Sequence, residues 1–362
     1  MRIMISRFQF YLLTINFIIG TTPFVMLQGL IAIGKQDAWI WPILTGGAGV
    51  LAGLFWLLLF RHYPGRSLVQ IPLEAMGRFP GAIVSFLFFV YFCNLSGWIL
   101  RNLSDFLNGT IMPATPAIVF HITFLLVVCY TVAQGAECVV RLNQIVTPLL
   151  FFPFWVVFLL ATVNWNWERF EPVLYLNPVV FFRHPAFLGF PFLETISLTM
   201  LFPHVQKGPA RPFLLGILTA SVSLSILVFV IIGLLGAERA SQLTYPVYTA
   251  IQEVAIGEAL VNIHSVISVI LLVLIFIKLL VLVYSASETL QQVVRPRTRW
   301  PHFLSLMILL TAIAHSMYEN PVQNAQWSEE YSICYNAFFT IAIPALLLAV
   351  TWIKRAYQKR QN

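Results

Sequence analysis

Residues 181–207 read FFRHPAFLGFPFLETISLTMLFPHVQK, an apolar segment of membrane-spanning length that carries its own interruption. Gly189, Pro191 and the carboxylate of Glu194 stand near its middle. Glycine costs about 1 kcal/mol and proline about 3 kcal/mol inside a helix. Backbone groups freed by a break persist at membrane depth only where they face protein or a water-filled cavity. We therefore expect a broken membrane helix whose interruption faces the interior of the protein.

A second segment of the same kind lies near the N-terminus. Residues 8–33 are apolar and are interrupted by Gly20, Thr21, Thr22 and Pro23. Glycine permits unusual backbone angles, and proline can begin a second half-helix whose exposed N–H groups would attract an anion such as a carboxylate. A simple proline kink, with its carbonyls satisfied by the two threonines, is the alternative. Broken helices in corresponding places of two halves indicate a binding site near the bilayer midplane.

The composition is that of a polytopic membrane protein. Of the 362 residues, 59% are hydrophobic and 10% are charged, whereas a soluble chain carries about 25% charged residues. The formal charge of +7 comes from single basic residues between apolar spans, which does not indicate a nucleic-acid partner. The four cysteines and seven histidines form no metal-ligand spacing. We expect no metal and no cofactor, and no pattern of a nucleophile with its base or of a phosphate loop supports an enzyme.

Ten membrane spans are predicted from the apolar segments, because a spanning helix needs about 20 mainly apolar residues. They lie at about residues 8–33, 39–60, 81–107, 117–133, 145–163, 181–207, 213–235, 260–286, 303–317 and 334–353. A small polar connection with Glu137 and Arg141 is expected before the fifth span. Two further segments, 69–79 and 236–258, are too short of apolar length to cross and are expected to lie on the membrane surface.

The basic residues give an orientation to these spans. Fifteen Lys and Arg residues fall on the side of the two termini and four on the other side. Positive charge favours the cytoplasmic side, so both termini are predicted to be cytoplasmic. The broken first and sixth spans then open two groups of five spans with opposite insertion directions. The sequence thus predicts one transmembrane domain, 1–362, built from inverted repeats at about 8–163 and 181–353.

Two charged residues inside the spans are candidates for function. Glu194 has three candidate roles: contact with a ligand ammonium, a proton-linked switch, or an acceptor for the unwound backbone. Lys278 in the eighth span is the matching cation, and a buried ammonium there would fasten the unwound first helix through its carbonyls. A lysine that snorkels to the membrane surface is the alternative.

The third span carries a second set of candidates. Arg101 and Asp105 are four residues apart near the outer end of the span, which favours an intrahelical ion pair. A polar and aromatic stripe at helical spacing would face the central cavity or serve only for packing. Its members are Tyr91, Asn94, Leu95 and Trp98.

Several stretches, in this order and spacing, resemble the spore germination permease family, the B subunit of GerA-type nutrient germinant receptors. That family belongs to the amino acid–polyamine–organocation transporter superfamily. The stretches are ISRFQF at 5–10, Ile19-Gly20-Thr21, RHYPGRSL at 61–68, Leu100-Arg101 with Asp105-Phe106, FLETISLTMLFPHVQK at 192–207, Leu243-Thr244-Tyr245-Pro246, and 278–284.

The resemblance implies an all-α, LeuT-like fold of ten helices in the spore inner membrane. It implies a small nutrient ligand such as an amino acid, and A and lipoprotein C subunits as partners. Transferred to this sequence, the ligand site includes residues of the first, third, sixth and eighth spans: Gly20, Thr21, Thr22, Tyr91, Leu95, Phe190, Pro191, Phe192, Glu194, Thr195, Lys278 and Tyr284. The sixth break, residues 188–193, is bulkier than the usual small-residue run of the family.

Two functions are compatible with this site. The first is a receptor subunit, in which a ligand favours one arrangement of the broken helices. The second is a secondary amino acid transporter that uses the same cavity with a proton or Lys278 as the coupling element. The family resemblance favours the receptor subunit.

Overall fold

The computed structural model describes residues 4–25, 27–161, 165–175, 189–252, 263–294 and 299–361, and these ranges are almost entirely helical. The α-helices, numbered α1 to α16 in chain order, are Arg7–Ile19, Thr22–Val25, Leu27–Gly34, Trp41–His62, Gln70–Met76, Arg78–Thr110, Ala117–Ala133, Ala136–Ala161, Ala210–Leu235, Ala237–Gln242, Pro246–Gln252, Ile263–Val294, Arg299–Ser316, Pro321–Glu330, Ser332–Ala337 and Ile343–Gln361. 3₁₀ helices cover Lys35–Ile40, Trp167–Phe170 and Leu193–His204. The π-helix Phe338–Ala342 joins α15 to α16.

Five of the described helical stretches are long and apolar enough to cross a membrane. They are Leu27–His62, Arg78–Thr110, Ala210–Leu235, Ser268–Val293 and Ser332–Gln358. The helices Ala117–Ala133 and Ala136–Leu149 pass the same test only as a pair, and they meet at 116°, which raises the number to six if the pair is one span. The chain is therefore a multi-pass membrane protein whose described residues are almost entirely helical. The count of ten spans and the inverted repeat remain predictions.

Helices occupy the described parts of the predicted spans, with one clear difference. The polar connection expected before the fifth span is already helical, because α8 begins at Ala136 rather than near residue 145. Glu137 and Arg141 form an ion pair across one turn of this helix. Such a pair at four-residue spacing stabilises a helical turn, which explains why the helix extends through a polar segment.

The first predicted span is interrupted where the sequence indicated. Helix α1 ends at Ile19, Gly20 and Thr21 form a turn, and α2 begins at Thr22 with Pro23 as its second residue. Further on, Lys35 has a positive φ of 47°. Leu27 and Leu30 line the same small cavity as Pro42 and Thr45. The chain thus does not run straight from α3 into α4, within the stretch Leu27–His62.

The sixth predicted span is described from Gly189 onward, and its first part, 181–188, lies outside the described residues. Residues 190–192 form a turn, and Leu193–His204 form a 3₁₀ helix of 12 residues. Runs of this tight helix rarely exceed three or four residues, and longer ones often mark a hinge or a strained segment. Within this 3₁₀ helix, the hydroxyls of Thr195 and Thr199 each donate a hydrogen bond to the carbonyl three residues earlier.

Backbone pairing joins the start of α1 to the end of this 3₁₀ helix. The N–H of Ile5 donates to the His204 carbonyl at 2.8 Å, and the N–H of Gln206 donates to the Ile5 carbonyl at 2.9 Å. The rings of Phe10 and Phe202 pack edge to face between the two elements, with centroids 5.8 Å apart. These contacts place the interrupted first and sixth segments side by side.

Helix α4 packs against α9 through glycines. A Cβ added at Gly46 would stand 2.4 Å from the Cβ of Ser221 on α9, whereas a Cβ at the neighbouring Gly47 meets nothing within 4 Å. The two positions therefore differ in packing although they share one helix.

We expect Gly46→Ala to destabilise the protein by about 1–3 kcal/mol through overpacking. Gly47→Ala is the matched control, and it should be neutral or stabilising by up to about 1 kcal/mol because glycine is a poor helix former. Thermal unfolding of both purified variants in detergent measures the difference. Equal melting temperatures for the two variants would show that α4 and α9 are not in close contact at Gly46.

Candidate functional site

A buried ion pair lies at the interruptions of the first and sixth segments. The Nζ of Lys278, on α12, is 2.6 Å from Oε2 of Glu194, and the two side chains are 0% and 1% exposed. The same ammonium donates a hydrogen bond of 2.6 Å to the hydroxyl of Thr21. Both charges have left water and depend on each other, since a buried charge without its partner is strongly destabilising.

The observed contacts refine the role predicted for Lys278. Snorkelling is excluded because the side chain is fully buried. Among the described residues the ammonium bonds to the Thr21 hydroxyl, whereas backbone carbonyls had been expected. Lys278 therefore does fasten the interrupted first helix, but through a side chain, and it joins that helix to Glu194 of the sixth segment.

Close backbone approach at Gly20 makes this contact possible. A Cβ at this position would lie 2.8 Å from the carbonyl oxygen of Leu274 and 3.2 Å from the Cβ of Lys278, both on α12. The hydroxyl of Thr22 donates to the Ile18 carbonyl at 2.8 Å. One of the two threonines thus satisfies a carbonyl next to the break, as the proline-kink alternative required, while the other binds the ammonium.

Two aromatic rings complete the surroundings of the Lys278 ammonium. Nζ lies 5.1 Å from the ring centroid of Phe17 and 5.4 Å from that of Phe190. Both distances are within the range of about 6 Å at which a cation is attracted to a ring face. Phe190 was expected from the family resemblance. Phe17 was missed, although it stands one helical turn before Gly20.

Two small cavities border the interruptions among the described residues. Pro191, Phe192 and Thr22 border a cavity of about 10 Å³ together with Leu27, Leu30, Pro42, Thr45, Leu224 and Val228. A second cavity, next to Ile19 and Leu274, also measures about 10 Å³. Such a volume admits about one water molecule, whereas small-molecule pockets measure about 300–1,000 Å³. Neither of these two cavities is large enough to hold a small-molecule ligand.

The predicted stripe on the third span is largely a packing surface. Tyr91 donates to Oδ1 of Asn336 at 2.9 Å and stacks on Phe339 with ring centroids 4.7 Å apart. Trp98 donates to Oδ1 of Asn324 at 2.7 Å. Leu95 is buried and Asn94 is half-buried.

One residue of this stripe, Trp98, contacts a residue that surrounds the Lys278 ammonium. The Trp98 ring packs edge to face on Phe190, with centroids 5.6 Å apart. Phe190 therefore contacts both the Lys278 ammonium and Trp98, and Trp98 in turn is bonded to Asn324 on α14.

The remaining predicted site residues lie around the ion pair at different distances. The hydroxyl of Thr195, next to Glu194, donates to the Phe192 carbonyl at 2.6 Å. Tyr284 is buried on α12, six residues beyond Lys278, which corresponds to about 9 Å along a helix axis. Tyr284 is thus on the helix that carries the ammonium, but not next to it.

The intrahelical pair predicted on the third span is confirmed. Nε of Arg101 lies 3.1 Å from Oδ1 of Asp105, and Tyr318 donates to the other carboxylate oxygen at 2.8 Å. Burial, and then the charge of Asp105, raise the pKa of Tyr318, so the phenol stays protonated and remains a donor. The cluster fastens the end of α6 to the segment between α13 and α14.

The described residues contain no group of three or more His, Cys, Asp or Glu side chains placed to hold a metal ion. The site that they do form is a buried charge pair bordered by the Thr21 hydroxyl and two aromatic rings.

Comparison with known proteins identifies the family to which this chain is similar. The family described as "Spore germination protein", the spore permease family, matches residues 4–324. The chain is 23% identical to spore germination protein YndE of Bacillus subtilis (strain 168) over 327 residues, 89% of each chain. It is 22% identical to spore germination protein KB of the same organism over 369 aligned positions, which cover 99% of this chain and 97% of the relative. Because the family match spans most of the sequence, the chain belongs to the spore permease family of spore germination proteins.

Proposed function

We propose that this protein is the nutrient-sensing subunit of a spore germination receptor, with a small nutrient, an amino acid, as its ligand. The ligand binds between the interrupted first and sixth helices and changes the arrangement of the helices around it. One observation carries the proposal: Lys278 holds Thr21 of the first segment and Glu194 of the sixth in a single buried contact. A ligand entering there must alter this contact, and its effect is limited to its differential affinity for the two arrangements.

The proposal includes the predicted site residues and the architecture that positions them. Gly20, Thr22, Pro191 and Phe192 surround the ligand, and the wall on α6 is built from the Tyr91 to Trp98 stripe. The helices form ten spans in a LeuT-like inverted repeat with both termini in the cytoplasm, in the spore inner membrane. The positions of the described helices and the distribution of basic residues support this arrangement. The A and lipoprotein C subunits of the receptor are the proposed partners.

A germination screen tests the proposal. Spores that lack the gene and spores that carry it again are exposed to single amino acids, sugars and nucleosides, and loss of refractility is recorded. We expect the restored gene to increase the germination rate with at least one amino acid. Identical responses of the two spore types to every nutrient would reject the sensing function.

The interrupted helices also suit a secondary amino acid transporter, and a separate experiment distinguishes the two functions. The purified chain is reconstituted in liposomes and given labelled amino acids. A receptor subunit should bind without concentrating them. Robust concentrative uptake by the chain alone would favour the transporter.

A further inference from the structure

Four side chains surround the Lys278 ammonium and form what we call the ammonium cage: Phe17, Thr21, Phe190 and Glu194. The carboxylate and the hydroxyl are each 2.6 Å from Nζ, and the ring centroids are 5.1 Å and 5.4 Å away. All four side chains are buried.

Each part of the cage complements the ammonium group rather than the rest of the lysine. An ammonium has three N–H donors and no acceptor, and the cage offers it two oxygen acceptors. The faces of the two rings carry the negative part of the aromatic quadrupole, which attracts a cation. The same set of groups would therefore recognise a primary ammonium that belongs to another molecule.

The cage has no room for a second cation while Lys278 occupies it. Its ammonium already contacts the carboxylate and the hydroxyl directly and lies over both rings. A ligand ammonium can therefore use these same contacts only by exchange with the lysine.

We propose that Lys278 is a tethered occupant of an ammonium site and that a ligand carrying a primary ammonium displaces it. The inference rests on the proposed function and names the chemical class that the site takes. A displaced lysine needs a new anion, which the carboxylate of a zwitterionic ligand supplies. Neutral sugars leave Glu194 without a cation, and tetraalkylammonium ions lack N–H donors, so both classes are excluded.

The test uses Lys278→Ala in the full-length chain, purified in detergent, with propylammonium chloride as the probe. Propylammonium replaces the three carbons and the nitrogen that the substitution removes. We expect it to raise the melting temperature of Lys278→Ala by about 2–4 °C at concentrations of several times its dissociation constant. 1-Propanol of equal length and tetramethylammonium should leave the melting temperature unchanged. Wild type should respond to none of the three, because propylammonium lacks the carboxylate that a displaced Lys278 would need.

The double variant Lys278→Ala/Glu194→Gln is the matched control, because it keeps the space and removes the carboxylate. It should show no rise with propylammonium. An equal rise with 1-propanol, an equal rise in the double variant, or no rise in a monodisperse Lys278→Ala protein would each overturn the proposal.

Lys278→Ala is also produced by cell-free synthesis into nanodiscs, because this second measurement tests the proposal even if the variant folds poorly. Propylammonium in the reaction should increase the monodisperse fraction on size exclusion at least twofold over 1-propanol. Equal fractions with the two compounds contradict the exchange.

The outcome is separable from that of the germination screen. If propylammonium binds but the spores respond to no nutrient, the ammonium site is established and nutrient sensing is rejected. A nutrient response in spores without propylammonium binding keeps the sensing function and rejects the cage as the ammonium site.

Discussion

Lys278→Met is expected to lower the free energy of unfolding by about 3–5 kcal/mol, the cost of leaving one charge of a buried pair without its partner. Methionine matches the length of the lysine stem, so the substitution removes the charge with little change of packing. Glu194 then stands as a lone carboxylate among Phe17, Phe190 and Thr21. Thermal or urea unfolding in detergent measures the loss, and accumulation in the membrane fraction gives a second readout.

A double-mutant cycle separates the pair from its surroundings. Glu194→Gln alone leaves the Lys278 ammonium without its carboxylate and should lower the free energy of unfolding by a similar amount. The double variant Lys278→Met/Glu194→Gln removes both charges and should recover most of the stability. Lys354→Met, at an exposed position on α16, is the control for loss of a lysine and should leave the melting temperature unchanged. Additive losses in the double variant would mean that the two residues do not interact as the structure shows.

The cycle also bears on function. If the pair only stabilises the fold, the neutral double variant should retain a nutrient response once its stability is recovered. If the ammonium cage recognises the ligand, the double variant should fold and remain unresponsive, because it lacks the carboxylate. Stability and response are therefore expected to separate in this one variant.

The sequence identified both members of the ion pair and matched their charges, but it did not predict their direct contact. Glu194 and Lys278 were predicted as functional because charged residues inside apolar spans are rare and costly. Their contact depends on how α12 lies against the sixth segment, and no local periodicity reports a packing between elements so far apart in the chain. The Arg101–Asp105 pair was predictable because both residues share one helix at four-residue spacing.

The interrupted helices also show which features could be predicted from the sequence and which could not. Gly20 to Pro23 predicted the first break, since glycine and proline act locally on the backbone. Phe17 was missed because one phenylalanine among 31 carries no signal that it faces a cation. The 3₁₀ geometry of Leu193–His204, a segment that α1, α4 and α12 all contact, was also not predicted.

Gly20→Val is the second substitution expected to have a large effect. The new Cβ would meet the Leu274 carbonyl oxygen at 2.8 Å and the Asn16 carbonyl oxygen at 3.0 Å, and backbone atoms cannot move aside as a flexible side chain does. Overpacking of this kind costs about 1–3 kcal/mol. It should also push α12 away from the break and so separate Lys278 from Thr21. We expect a lower melting temperature and loss of the nutrient response.

Gly47→Val is the matched control, since it adds the same side chain to a helix where the Cβ meets nothing within 4 Å. Unchanged stability and response in both variants would show that α1 and α12 do not approach closely at Gly20. Combining Gly20→Val with Lys278→Met gives a sharper comparison. If the valine acts by breaking the Lys278 contact, the losses of the two substitutions should overlap rather than add. Full additivity would locate the damage in the backbone of the break and leave the ion pair intact.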